Sequence, residues 1–93
     1  MNINSPAIGP QTGKVLSAVY QEAMDGYMLQ KITGLSEIDM VDALEYLKGN
    51  DLIAYSGSLN PESVKSIYVW VPPSSKGQAA LVLNNFKAQM APR

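Results

Sequence analysis

Residues 29–53, LQKITGLSEIDMVDALEYLKGNDLI, decide the fold of this chain. A helical stretch ends at Thr33-Gly34-Leu35, because glycine interrupts the apolar spacing there. Ser36, with Asp39 three residues later, forms a capping pattern that opens the next helix. The apolar residues of that helix recur at 3.6-residue spacing and predict one buried face, formed by Met40, Ala43, Leu44 and Leu47. The stretch therefore predicts two helices joined by a short turn.

A first helix is predicted before this stretch, and a β-hairpin after it. Thr12 can cap the first helix, whose end is predicted at Asp25-Gly26. Residues 52–55 and 63–71 are rich in β-branched and aromatic side chains, which favour strands. The segment between them contains Ser, Gly, Asn and Pro and predicts the turn of the hairpin.

A last helix is predicted after Pro72-Pro73, which ends the second strand because proline cannot extend a β-ladder. Its apolar stripe has helical spacing and consists of Ala79, Val82, Leu83, Phe86 and Met90. We therefore divide the chain into an extended N-terminal arm at residues 1–11, a core at residues 12–73 and an amphipathic C-terminal helix at residues 74–93.

Two helices joined by a short turn that contains glycine form a helix-turn-helix, whose second helix enters the major groove in DNA readers. With the hairpin after it, the chain resembles the winged-helix superfamily over residues 12–71. The resemblance rests on Thr33-Gly34-Leu35-Ser36, on the apolar face of the third helix and on Leu52-Ile53. It implies a mostly α fold with a small β-hairpin (α+β), that is, a winged helix-turn-helix with an added C-terminal helix.

Composition limits the chemistry of the chain. Its 93 residues suit one small domain, and 46% hydrophobic against 16% charged residues indicates a globular chain. With no cysteine and no histidine, it lacks the usual zinc ligands and a histidine general base, so we expect neither an enzyme nor a cofactor or metal site. Neither a signal peptide nor a membrane-spanning run is visible, and we expect a cytoplasmic protein without membrane contact.

The outward face of the third helix carries the strongest functional signal. On a helical wheel, Ile38, Val41, Asp42 and Glu45 lie opposite the buried face, and Glu37 lies in the first turn. DNA readers usually place Arg, Lys, Asn or Gln here, because phosphates attract cations and base edges need bidentate polar groups. Two aliphatic side chains rimmed by carboxylates are more typical of a protein-binding patch. The other interpretation is that the hairpin, the N-terminal arm or the last helix covers the two aliphatic residues.

We therefore predict a non-enzymatic module for protein–protein interaction or assembly. Its contact residues would be Glu37, Ile38, Val41, Asp42 and Glu45. The alternative is a winged-helix transcription regulator that binds DNA as a dimer, with nucleic-acid contacts at Lys31, Lys48, Lys65 and Tyr68. The seven basic residues are scattered along the sequence and the net charge is −1, a balance that disfavours nucleic acid as the partner.

The last helix raises a separate question of self-association. In winged-helix proteins, amphipathic terminal helices often pair two subunits, and the resemblance implies a homodimer formed through Val82, Leu83, Phe86 and Met90. Packing of the same stripe against the first helix within one chain is the alternative. The uncharged polar side of this helix favours the dimer.

Overall fold

A computed structural model of the chain describes residues 8–90, apart from the side chain of Met90. Most of these residues are helical, and a small antiparallel sheet has three strands in the order β1-β3-β2. The elements are α1 (Pro10–Gln21), β1 (Met24–Asp25), α2 (Gly26–Thr33), α3 (Glu37–Gly49), β2 (Ala54–Ser56), β3 (Tyr68–Trp70) and α4 (Lys76–Met90), with 3-10 turns at Val64–Ser66 and Pro73–Ser75. The predicted α+β class is thus confirmed.

Both ends of α1 differ from the prediction. The helix begins at Pro10, two residues before Thr12, and Gly9 provides no side-chain cap. Proline can open the helix because its fixed φ suits the first turn, where its missing N–H is not needed. The predicted end at Asp25-Gly26 is wrong, because residues 24 and 25 form β1, in which Met24 pairs with Val69. Most of the predicted arm, residues 1–7, lies outside the described residues, and Ile8 is buried in the core.

The turn between α2 and α3 follows the predicted chemistry. Helix α2 ends at Gly34, whose φ of 73° is left-handed and suits glycine. The Ser36 hydroxyl then accepts a hydrogen bond of 3.1 Å from the backbone N–H of Asp39. Helix α3 buries all four predicted residues, Met40, Ala43, Leu44 and Leu47. The two helices joined by a short turn and the cap of α3 are confirmed.

The hairpin is shorter than predicted. Only Tyr68–Trp70 of the predicted strand at residues 63–71 forms β3, and Val64–Ser66 forms a 3-10 turn instead. Ser63 explains this turn in part, because its backbone N–H and its hydroxyl both donate hydrogen bonds to the side-chain oxygen of Asn60. Local hydrogen bonds of this kind compete with strand pairing.

Helix α4 packs on α1 within the single chain. Ala79, Val82 and Leu83 are buried, with at most 4% of their surface exposed. The half-buried Phe86 ring lies so close to Gly13 of α1 that a Cβ there would collide with it. Within the described residues, no helix has the length and apolar character needed to cross a membrane.

The contact between α2 and the first 3-10 turn predicts a sensitive glycine. A Cβ at Gly26 would overlap the carbonyl oxygen of Val64, whereas a Cβ at Gly77 would meet open space. We expect Gly26→Ala to lower the free energy of unfolding by about 1–3 kcal/mol, because the backbone must move. Gly77→Ala, the matched control, should be neutral or raise it by up to about 1 kcal/mol. Urea unfolding of both variants is the measurement, and equal stabilities would contradict the close contact.

Candidate functional site

The N-terminus of α3 is held in place from both sides. On one side, the Lys65 ammonium lies 3.2 Å from the Glu37 carboxylate. On the other, the Gln11 amide of α1 donates a hydrogen bond of 3.2 Å to the Asp39 carboxylate. Among the described residues, the pair of Lys65 and Glu37 is the only ion pair. Both first-turn carboxylates of α3 are therefore engaged within the chain.

The environment of Glu37 lowers the pKa of its carboxyl group. The main cause is a hydrogen bond from the backbone of the same residue, followed by hydrogen bonds from Lys65 and from the Gln30 side chain and by the charge of Lys65. All of these favour the ionised form. Glu37 was predicted as a partner contact, and the structure gives its carboxylate a role in joining α3 to the 3-10 turn.

Three of the predicted contact residues do face solvent together. Ile38, Asp42 and Glu45 are exposed on α3 at spacing i, i+4, i+7, which places them on one face of the helix. Ile38 is 63% exposed, the largest value among the large apolar side chains described. We call these three residues the α3 stripe.

Val41 does not belong to this stripe. It is only 8% exposed and forms part of the core, so the prediction that it faces outward is wrong. The physical reason lies one turn earlier on the same edge of α3. Glu37, four residues before Val41, contacts Lys65 of the 3-10 turn, and α3 packs against that turn. For Val41, the interpretation that other parts of the fold cover it is the correct one.

One of the three cations proposed for nucleic-acid contact is engaged in an ion pair within the chain. The Lys65 ammonium pairs with Glu37, and the Lys31 ammonium lies 5.5 Å from the centre of the Tyr27 ring. Lys48 is exposed on α3. Tyr68 is 48% exposed, with its ring centre 6.2 Å from that of Trp70. Among the residues that the structure describes, no cluster of cations lies on the outward face of α3.

The exposed side of α2 includes apolar residues that were not predicted from the sequence as contact residues. Tyr27, Met28 and Ile32 are 55%, 44% and 57% exposed, whereas Leu29 of the same helix is fully buried. With Lys31, these residues form pairs at i, i+4, a spacing that places them together on one side of the helix. We call Tyr27, Met28, Lys31 and Ile32 the α2 face. The i, i+4 spacing of these residues was visible in the sequence. The sequence did not show which side of so short a helix the rest of the fold covers.

A groove of about 560 Å³ adjoins the α2 face. Its walls come from α1, β1, α2 and α4 and include Ala18, Met24, Ile32 and Phe86. Lys14 and Glu22 also border it, so that it carries one charge of each sign. The groove is continuous with the α2 face through Ile32.

The predicted dimer residues lie mainly inside the chain. Val82 and Leu83 are buried and Phe86 is half-buried over Gly13, as expected for packing against α1. A dimer is therefore not needed to cover these three side chains. The side chain of Met90 lies outside the described residues.

No protein-family model and no curated protein matches this chain. Within residues 8–90, no group of three or more histidine, cysteine, aspartate or glutamate side chains is placed to hold a metal ion.

Ile38 and Val41 should respond differently to truncation. We expect Val41→Ala to lower the free energy of unfolding by about 1.5–3 kcal/mol, because it removes buried methyl groups and leaves a cavity. Ile38→Ala, on the exposed stripe, should change it by less than about 0.5 kcal/mol. Urea or thermal unfolding of the two variants measures this difference in stability. A large loss for Ile38→Ala would place that residue in the core.

Glu37 should make stability depend on acid. The pKa of the Glu37 carboxyl group in the folded chain lies below the ordinary glutamate value. The contribution of this group to the free energy of unfolding is therefore complete above about pH 4.3, and it is lost as the pH falls through the folded-state pKa. Wild type should therefore exceed Glu37→Gln in stability at neutral pH, and the difference should shrink in acid. Lys65→Met should weaken the same dependence. Parallel pH profiles of wild type and Glu37→Gln in denaturant unfolding would contradict this role.

Proposed function

We propose that this chain is a winged-helix module that binds another protein chain through the outward face of α3 and acts by binding rather than by catalysis. The order of elements supports the winged-helix assignment, since three helices precede a hairpin and a further helix follows it. The short turn between α2 and α3, with Gly34 in a left-handed conformation, has the form of a helix-turn-helix. Many functions use such a scaffold, so the function must be argued from the exposed residues.

The observation that carries the proposal is the α3 stripe. Ile38 is the most exposed of the large apolar side chains described, and covering such a side chain fully with a partner contributes about 1.5–3 kcal/mol. Asp42 and Glu45 lie on the same face and are exposed, and no ion pair within the described residues uses them. An apolar centre with a charged rim is the usual anatomy of a protein interface. The carboxylates would select a partner of positive charge and orient it.

The same stripe disfavours nucleic acid as the ligand. A helix that enters the major groove approaches phosphates, and Asp42 and Glu45 would be repelled there. Lys65 could reach a phosphate only by leaving Glu37, and the Glu37 carboxylate would then lie unpaired beside the backbone of the DNA. Lys48 is the remaining exposed cation of α3. One lysine gives too small a release of counterions to offset two carboxylates.

A photocrosslinking experiment tests the proposal directly. A photoreactive phenylalanine analogue at position 38 should give discrete adducts with protein in an extract of the source cells. The same analogue at position 85, where Asn85 is exposed on α4, is the matched control and should give none of these adducts. Asp42→Lys with Glu45→Lys should remove the adducts of position 38, because the charge that orients the partner is reversed.

Two results would overturn the proposal. One is equal adducts from positions 38 and 85, which would mean that the α3 stripe has no preference for a partner. The other is tight binding of a random DNA duplex whose affinity falls steeply with added salt, which is the signature of many phosphate contacts. The second result would favour the DNA-binding alternative.

A further inference from the structure

The exposed apolar side chains of this protein are concentrated on two neighbouring helices. Of the seven large apolar side chains that are exposed in the described residues, five lie on α2 and α3. Three of them belong to the α2 face and one, Ile38, to the α3 stripe. Large apolar side chains that are exposed on two consecutive helices are candidates for an interaction site.

The two faces differ in charge and are complementary. The α3 stripe combines Ile38 with two carboxylates, and the α2 face combines three apolar side chains with Lys31. Lys14 adds a second cation beside Ile32, in the adjoining groove, where Glu22 also lies. Like charges would oppose each other if α3 met α3 or if α2 met α2. Opposite charges meet only when the α2 face of one chain meets the α3 stripe of another.

The two faces are similar in length. At about 1.5 Å per residue, the α2 face from residue 27 to residue 32 is about 7.5 Å long and the α3 stripe from residue 38 to residue 45 is about 10.5 Å long. The two helices follow one another through the turn at Gly34 and Ser36, so each chain presents both faces. A two-fold axis that pairs each face with the opposite face of a second copy would give two identical contacts.

We propose that the partner of the α3 stripe is a second copy of this chain, which docks its α2 face on the stripe in a closed two-fold dimer. This inference rests on the proposed function, because it names the occupant of the same site. In the dimer, Ile38 packs among Met28, Tyr27 and Ile32 of the other copy. At each of the two contacts, Lys31 of one copy lies near Asp42 and Glu45 of the other copy. The ring of Tyr27 lies beside the Lys31 ammonium of its own chain and stabilises it there by a cation–π contact.

A charge-swap experiment tests the dimer with the full chain. Two variants are made, Lys31→Glu and the double variant Asp42→Lys with Glu45→Lys, and sedimentation equilibrium follows each up to about 1 mM, where even weak pairs associate. Wild type should reach twice the monomer mass. Each variant alone should remain monomeric, because its two contacts pair like charges. An equimolar mixture should recover the dimer, because both contacts then join opposite charges.

Recovery in the mixture also proves that both variants are folded, so misfolding cannot imitate the result. Lys87→Glu on α4 and Glu62→Lys in the hairpin loop change exposed charges outside both faces, and both should dimerise like wild type. A monomeric wild type, or a mixture that stays monomeric, would overturn the dimer. A mass that grows beyond two copies would overturn the closed two-fold arrangement.

The proposed function can survive the loss of the dimer. If the wild type is monomeric but position 38 still forms adducts with a different protein in an extract, the α3 stripe binds a partner other than a second copy. If position 38 forms no selective adduct at all, both proposals fail. The two experiments therefore separate the identity of the partner from the existence of the site.

Discussion

The burial of one face of α3 is the constraint on which the rest of the structure depends. Met40, Leu44 and Leu47 are fully covered, and each contributes about 1.5–3 kcal/mol by leaving water. Contacts at Glu37 and Asp39 then hold the first turn of the helix from two sides. A helix fixed in this way cannot rotate about its axis. The orientation of the α3 stripe toward solvent is therefore a consequence of the core and needs no further interaction.

The sequence predicted well those features that depend on neighbours within one helical turn. The cap at Ser36, the glycine that ends α2 and the buried face of α3 all depend on spacing of three to four residues, and all are confirmed. Features that depend on distant partners were missed. The strand β1 exists because Met24 meets Val69, which lies on a strand from the far end of the core. No local pattern in residues 24 and 25 favours a strand over the last turn of a helix.

At the candidate site, too, the sequence pattern did not reveal contacts with distant parts of the chain. A helical wheel correctly placed Ile38, Asp42 and Glu45 on the outward side, but it treats that side as uniformly exposed. Val41 lies at the edge that meets the 3-10 turn, and only the tertiary contact of Glu37 with Lys65 reveals it. The exposure of Tyr27 and Met28 was hidden for a related reason. In a helix of eight residues, half of which are apolar, the pattern cannot tell which side is covered.

The two carboxylates of the α3 stripe can serve two purposes at once. Beside phosphates, Asp42 and Glu45 would be repelled, so under the proposed function they would oppose the binding of DNA. Beside a lysine they would attract, and at the partly solvated rim of an interface they would lose little hydration. Ile38 could then supply the apolar contact that charges at a rim do not. Selection against DNA and selection for a cationic protein face would thus arise from the same two carboxylates. Reversing their charge should weaken the binding of a cationic protein and should remove the repulsion that opposes DNA.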